Sequence, residues 1–309
     1  MYRVPILILG YNRPYHIIRL INILREIKPT ELYISLDGPK TEAMRDASNA
    51  CMAAIGHIDW NCQIHVQRLS INHGGKVGPA TGISWFFSKV DFGIIFDDDI
   101  EPRREFFEYI EFCQLNMGND LRVGAISGNN FSIGKYDFWN GHCGLSRFFC
   151  GWGWATWAHV WKKFRLDGDC LADFVLKSEA FNQALYNDEV LIQKWRGTFN
   201  AWRSGPAWDF LWQFHLWKEG LNCVIPPVNL AGNVGVGADS TNHLQDVPYM
   251  IEWKSSWNLT LPDNWNKGLV VSEAGDRFSS YVTQFGIPAS ELFMIQDGES
   301  CKFGIRKEH

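Results

Sequence analysis

The sequence predicts an α/β protein, a mostly parallel sheet flanked by helices in one domain with a C-terminal extension. Three observations lead there. Short apolar runs alternate with segments of helical spacing through the first third of the chain. The runs are mostly continuous, as in strands buried on both faces. Turn-forming residues stand between these strands and the helical segments that follow.

Residues 6–9 (ILIL), reached through Val4 and Pro5, form the first strand. Asn12, Arg13 and Pro14 make a turn, and Ile17, Ile18, Leu20, Ile21, Ile23, Leu24 and Ile27 then recur at helical spacing. Residues 32–36 are the second strand, closed by Asp37-Gly38-Pro39, and residues 41–55 are a helix with Ala and Met on its buried side. Residues 62–69 alternate as the third strand. A glycine-rich loop over 72–78 (NHGGKVG) opens into a helix carrying Ile83, Trp85, Phe86 and Phe87. The fourth strand, 92–96 (FGIIF), runs directly into Asp97, Asp98 and Asp99. A helix over 106–115 and a strand over 123–126 follow, after which the pattern becomes irregular and rich in Trp, Gly and Asn. No repeat, low-complexity tract or linker divides the chain. The predicted organisation is two halves of one domain, 1–102 and 103–245, and an extension over 246–309 that packs back on the body and frays over 302–309.

Composition narrows the function. A net charge of -5, with 29 basic residues set against 34 acidic ones, provides no field for nucleic acid. The eight cysteines form no C-x-x-C pair or Cys/His cluster, so free thiols in a reducing compartment are expected. The N-terminal apolar run is too short for a membrane span and leads into turn residues, which fits a strand and not a signal. Of the 15 Trp, most fall between Trp139 and Trp265, where indoles can stack on sugar faces or fill a large aromatic core.

The acidic triplet carries the chemistry. Such a cluster is a solvated loop as readily as a site. Here it follows a buried strand, at the sheet edge where ligands of open parallel sheets collect, together with Asp37, Gly74 and Gly75. Short carboxylates are hard oxygen donors suited to Mn²⁺ or Mg²⁺. There is no G-x-x-x-x-G-K-[ST], no G-x-G-x-x-G after the first strand and no G-x-S-x-G, which removes the main support for kinase, dehydrogenase and hydrolase readings.

Residues 94–109 (IIFDDDIEPRREFFEY) resemble the acidic motif and following helix of GT-A glycosyltransferases of the inverting N-acetylglucosaminyltransferase I type and their bacterial relatives. Residues 148–161 (FFCGWGWATWAHVW) are similar to the aromatic glycine loop that comes later in those enzymes, and pattern and order agree from about residue 3 to residue 243. The resemblance implies a Rossmann-like GT-A fold, with residues 1–102 binding a nucleotide-sugar and 103–245 holding the acceptor and the catalytic group. It implies that Asp99 contacts Mn²⁺ or Mg²⁺ while Asp97 and Asp98 face the ribose and sugar; Asp97 stands where the animal enzymes usually have Glu, with a shorter reach. Arg13 and Asp37 match positions that hold the uridine part, although a surface turn residue and a turn-capping carboxylate are their plain alternatives.

Asp209, in residues 206–212 (PAWDFLW), matches the catalytic base of these enzymes. A carboxylate between aromatics is desolvated, which raises its pKa and suits it to take a proton from an acceptor hydroxyl; the alternative is a cap at a helix start. Glu101 and Asp169 are weaker substitutes. Trp152, Gly153 and Trp154 are expected to line the sugar or acceptor pocket, with Trp157 and Trp161 on a core-packed helix. Residues 226–235 resemble the strand and loop that end the family's catalytic core. His73 and Lys76 are candidates to touch the diphosphate, a solvent-exposed loop accounting for them equally well, and His243, in 239–243 (DSTNH), is a candidate second metal ligand on a lid. The expectation is inverting, metal-dependent transfer of a sugar, N-acetylglucosamine first, from a UDP-sugar to a saccharide or lipid-linked oligosaccharide hydroxyl. The expected setting is a bacterial cytoplasm, with at most peripheral membrane association. A sugar-phosphate nucleotidyltransferase and a non-catalytic carbohydrate-binding protein on the same fold are the rivals.

Overall fold

A computed structural model of the chain describes residues 1–131, 136–235, 263, 266, 269–287, 291–297 and 300–305. Four strands, β1 (Ile6–Gly10), β2 (Glu31–Leu36), β3 (Gln63–Arg68) and β4 (Phe92–Asp97), pair in parallel in the order β3-β2-β1-β4. Helices α1 (Pro14–Ile27), α2 (Arg45–Ala54) and α3 (Gly74–Phe86) make the crossovers. Pro14 opens α1 because its fixed φ suits the first turn and its missing N–H costs nothing there. Ile17, Leu20, Ile21 and Leu24 form the stripe that α1 buries. β1, β2 and β4 are enclosed along almost their whole length, whereas β3 is an edge strand that leaves Ile64 and Val66 open to solvent and half-buries His65 and Gln67.

The glycine-rich stretch is shorter as a loop than expected. α3 begins at Gly74, so most of 72–78 is helix. Its opening N–H groups are capped from a distance, by the Asp37 carboxylate at the end of β2.

The second half continues the same sheet. After β5 (Ile100–Pro102) and α4 (Arg104–Met117) come β6 (Val123–Ser127), β7 (Gly144–Ser146) and β8 (Trp154–Trp157). Helices α5 (Ala158–Trp161), α6 (Ala172–Lys177), α7 (Glu179–Ala184), α8 (Glu189–Trp202) and α9 (Asp209–Lys218) follow, then β9 (Asn222–Ile225) and β10 (Ala231–Asn233). The sheet has eight strands in the order β3-β2-β1-β4-β8-β6-β9-β7, with β8 antiparallel to both neighbours and β7 antiparallel to β9. The expected mostly parallel α/β sheet with helices around it is what forms. β5 pairs separately with β10.

The aromatic segment owes its density to the core. Trp154, Trp161, Trp208 and Trp212 pack ring against ring, with Trp154 and Trp208 stacked at 5.7 Å between centroids. Trp157, expected on a helix, ends strand β8, and Trp161 ends the short α5; both are buried.

Beyond the sheet, α10 (Glu273–Phe285) is anchored on the body and is followed by the hairpin β11 (Leu292–Asp297) and β12 (Ser300–Ile305). The fully buried Asp276 accepts hydrogen bonds from Ser146 Oγ, the Arg147 N–H and Tyr186 Oη, and Arg277 pairs with Asp188. Among the described residues, seven cysteines carry free thiols and no helix is long and apolar enough to cross a membrane.

Candidate functional site

From β1 the chain crosses to β2 on one side, while β4 flanks β1 on the other, so the strand order reverses between β1 and β4. At such a point the crossover helices diverge and leave a crevice beyond the carboxyl ends of the strands. Arg13 leaves the end of β1 and the triplet leaves the end of β4. Asp97 is the last residue of β4, level with Leu9 of β1, and Asp98 and Asp99 form the turn into β5.

Arg13 ties this turn together. Its Nη2 donates to Asp99 Oδ2 at 2.8 Å and to Asp98 Oδ1. The Asp98 side chain is 3% exposed, and its second oxygen, Oδ2, is enclosed without a hydrogen-bond partner. This corrects two expectations from the resemblance. Asp98 is too deeply buried to face a ribose or sugar, and the Arg13 guanidinium is engaged with carboxylates instead of standing free for a uridine. Asp97 and Asp99 are the two members that keep solvent access.

The electrostatics of the turn are those of crowded like charges. Burial, followed by the charges of Asp99, Asp98 and Asp209, pushes the Asp97 carboxyl up to about 8. Burial also lifts Asp98, to about 7, against the pull of Arg13. The charge of Asp209, first residue of α9, is felt at Asp97, so this end of α9 lies in the neighbourhood of the triplet. Asp209 is raised above the ordinary carboxylate range by burial, opposed by its Oδ1 accepting the Phe210 N–H at 3.0 Å. The residue is nonetheless exposed and not enclosed between aromatics as expected, so water screens much of the shift.

The remaining predicted residues divide by what they hold. Asp37 accepts from the backbone N–H groups of Gly38, His73 and Gly74 and from Asn72 Nδ2, which fills its carboxylate and makes it the turn-capping group. Lys76 donates to the Arg203 carbonyl at 2.9 Å, and Gly75 lies so close to Pro206 that a Cβ there would stand 3.2 Å from its carbonyl oxygen. The loop before α9 is therefore seated on the opening turn of α3, and this carries Asp209 to the site.

Trp154, expected in the pocket, is 2% exposed and belongs to the aromatic core, because β8 is an interior strand of the sheet. Trp152 is half-buried and meets the Phe131 ring edge-on. Gly153 has φ 71°, and a Cβ there would stand 2.9 Å from the Ala231 Cβ and 3.1 Å from the Phe96 ring; glycine lets β8 start beside β5 and β10. His243 lies outside the described residues.

Two features of this edge escape the sequence. Val234 donates to the Asp99 carbonyl at 2.9 Å, and a Cβ on Gly235 would collide with the Asp99 carboxylate, so 231–235 straps the acidic turn. Asn129 is fully buried with neither amide atom hydrogen-bonded. Asn129 follows β6, whose Ile126 shares Ala155 of β8 as partner with Ile94 of β4, so it lies just past that strand, at the same end of the sheet as the triplet.

The residues fit a hard divalent cation of a particular kind. Among the described residues no three His, Cys, Asp or Glu side chains gather to hold a metal by themselves. Mg²⁺ and Mn²⁺ sites that complete their coordination with phosphate oxygens and water need only one or two carboxylates, which Asp97 and Asp99 supply. Asp97, lifted first by burial and then by the charges of its neighbours, and the unpartnered Asp98 Oδ2 leave room at this turn for further positive charge.

No family model and no curated protein sequence matches the chain. Solved structures give low-level likenesses. HddC from Yersinia pseudotuberculosis is 11% identical, covering 52% of this chain and 80% of its own, with a TM-score of 0.33. Mouse xyloside xylosyltransferase 1, in its apo form, is 10% identical over 71% of this chain and 83% of its own, at 0.36. A putative glucose-1-phosphate thymidylyltransferase from Bacillus anthracis, in complex with a sucrose, is 10% identical over 85% and 98%, at 0.37. These scores are too low to bear on the chemistry of the chain.

Proposed function

We propose that the chain is a GT-A-type glycosyltransferase that moves a sugar from a nucleotide-diphosphate donor, UDP-linked by first choice, to a saccharide hydroxyl with inversion. The supporting observation is the convergence of Asp97, Asp98, Asp99, Asp209 and Arg13 on the switch-point crevice of the sheet. When bound, Mn²⁺ or Mg²⁺ supplies charge neutralisation for the diphosphate leaving group. Asp99 and Asp97 hold that cation in this reading.

The chain's own residues then divide the work. Asp209 takes the proton of the acceptor hydroxyl as its oxygen attacks the anomeric carbon; the base must be ionised, and its raised pKa makes it a better acceptor once it is. Asp37 and Asn72 hold the opening of α3 in place beside the donor. Half-buried Trp152 is left as the indole for a sugar face. The acceptor is a saccharide or lipid-linked oligosaccharide, N-acetylglucosamine the first sugar to try, and a cytoplasmic setting is part of the same proposal.

The test is a screen of UDP- and GDP-sugars with and without Mn²⁺, read by nucleotide release. Metal-dependent release from one donor supports the reading, and release that ignores EDTA removes the cation from it. NMR of the product reads the anomeric configuration, and retention would overturn the inverting assignment.

A further inference from the structure

Arg13 and a divalent cation would need the same carboxylate. Asp99 is the expected cation contact, and its Oδ2 already accepts from Arg13 Nη2 at 2.8 Å; the same nitrogen donates to Asp98 Oδ1. The Arg13 side chain is 18% exposed, so the pair is largely shielded from bulk water, where its charge matters more. Even so Arg13 leaves the turn under-neutralised, since Asp98 Oδ2 remains enclosed with no partner and three other carboxylates crowd Asp97. A single positive charge is holding together a site whose ligands call for two.

We propose that Arg13 is a built-in counter-ion that occupies Asp99 until a divalent cation displaces it, after which its guanidinium turns to the donor diphosphate. The proposal rests on reading the acidic turn as a cation site. A guanidinium on Asp99 Oδ2 and a divalent cation on the same carboxylate compete for one negative charge, and their mutual repulsion at this range favours release of the more weakly held guanidinium. The diphosphate brought in by the cation offers the displaced guanidinium oxygens that match its fork of donors. Arg13 is thus a positioning residue whose partner changes with the state of the site.

The experiment compares wild type, Arg13→Gln and Arg13→Lys. Free Mn²⁺ binding is measured by electron paramagnetic resonance without nucleotide, and UDP binding by calorimetry with and without Mn²⁺. Removing the competing charge should tighten free Mn²⁺ on the order of tenfold in Arg13→Gln and weaken UDP severalfold at saturating Mn²⁺, where the displaced guanidinium meets the diphosphate, while Arg13→Lys stays within about threefold of wild type. A purely structural tie predicts the opposite sign for Mn²⁺, because the ligands would lose their positions. Unchanged or weaker Mn²⁺ binding by Arg13→Gln, in a protein whose wild type shows Mn²⁺-dependent UDP binding, overturns the counter-ion role and leaves the site reading intact. If the wild type binds no Mn²⁺ with or without UDP, both fall. Should Arg13→Gln fail to fold, the arginine ¹⁵N spectrum of the wild type decides. Its hindered guanidinium signal, identified by its loss in Arg13→Lys, must become freely rotating as Mg²⁺ is added, and a signal that stays hindered at saturation overturns the proposal.

Discussion

Burial first, and then repulsion from Asp99, Asp98 and Asp209, raises the Asp97 carboxyl, and this sets how the site should respond to pH. Asp97 and Asp98 hold their protons up to about 8 and 7. A cation can bind Asp97 only after its proton leaves, so metal-dependent UDP binding should strengthen as pH rises from 6 to 8.5. Calorimetry at several pH values checks this, and affinity flat across that range would mean that the Asp97 carboxyl is not raised as described. Asp209 admits a sharper test. Asp209→Asn keeps the size and the position at the head of α9 but cannot accept the proton; transfer should fall on the order of a thousandfold with UDP binding within about threefold of wild type. A variant that keeps most of its rate removes Asp209 as the base. Gly235 tests geometry alone: Gly235→Ala pushes a methyl into the Asp99 carboxylate and should weaken Mn²⁺-dependent UDP binding about tenfold or more while melting within a few degrees of wild type.

At the scale of elements, the first half was legible because each strand is a continuous apolar run and each helix a clear stripe. β1, β2, β4, α1 and α4 sit within a few residues of their predicted bounds. The second half was not, for physical reasons. β8 (WATW) has no alternation because both of its faces are buried, and α6 and α7 are six residues each, too short for a helical period to show. In the site, sequence pointed to Asp97, Asp99 and Asp209 by type and order. It could not reveal that Asp98 turns inward, since adjacent carboxylates look alike until the turn geometry is known. Nor could it show that Trp154 serves the core, because sugar-stacking and core indoles have the same spacing. Asp276 on α10 was invisible for a related reason: its partners Ser146, Arg147 and Tyr186 are distant in the chain. Burial lifts this carboxyl from 3.8 to about 6, so the folded chain binds its proton more tightly than the unfolded chain does. Stability should therefore fall as pH rises between those values, by roughly 3 kcal/mol in all, and stay at the lower level above them. Asp276→Asn should remove that fall, measured by urea unfolding at pH 4 and pH 7, and an unchanged pH dependence would show that another group is responsible.

At the scale of the whole molecule, the first half and the second half are not separable bodies. β8, from the second half, pairs along one edge with β4, which belongs to the first, and along the other with β6. The short β5, at the end of the first half, is held by β10 from the end of the second. Residues 1–102 alone would expose one edge of β4, an interior strand that is apolar on both faces, and would leave the acidic turn without the 231–235 strap. The loop that carries Asp209 would also be missing from the opening turn of α3, where Lys76 now holds the Arg203 carbonyl. Heating should accordingly unfold the described body in a single calorimetric transition, with calorimetric and van't Hoff enthalpies in agreement. UDP with Mn²⁺ should move that whole transition upward, because a ligand bound only to the native state stabilises everything that unfolds with its site. Two transitions, with only the first displaced by ligand, would mean that the crevice belongs to a unit folding on its own, and the shared sheet would then not be what couples the two halves.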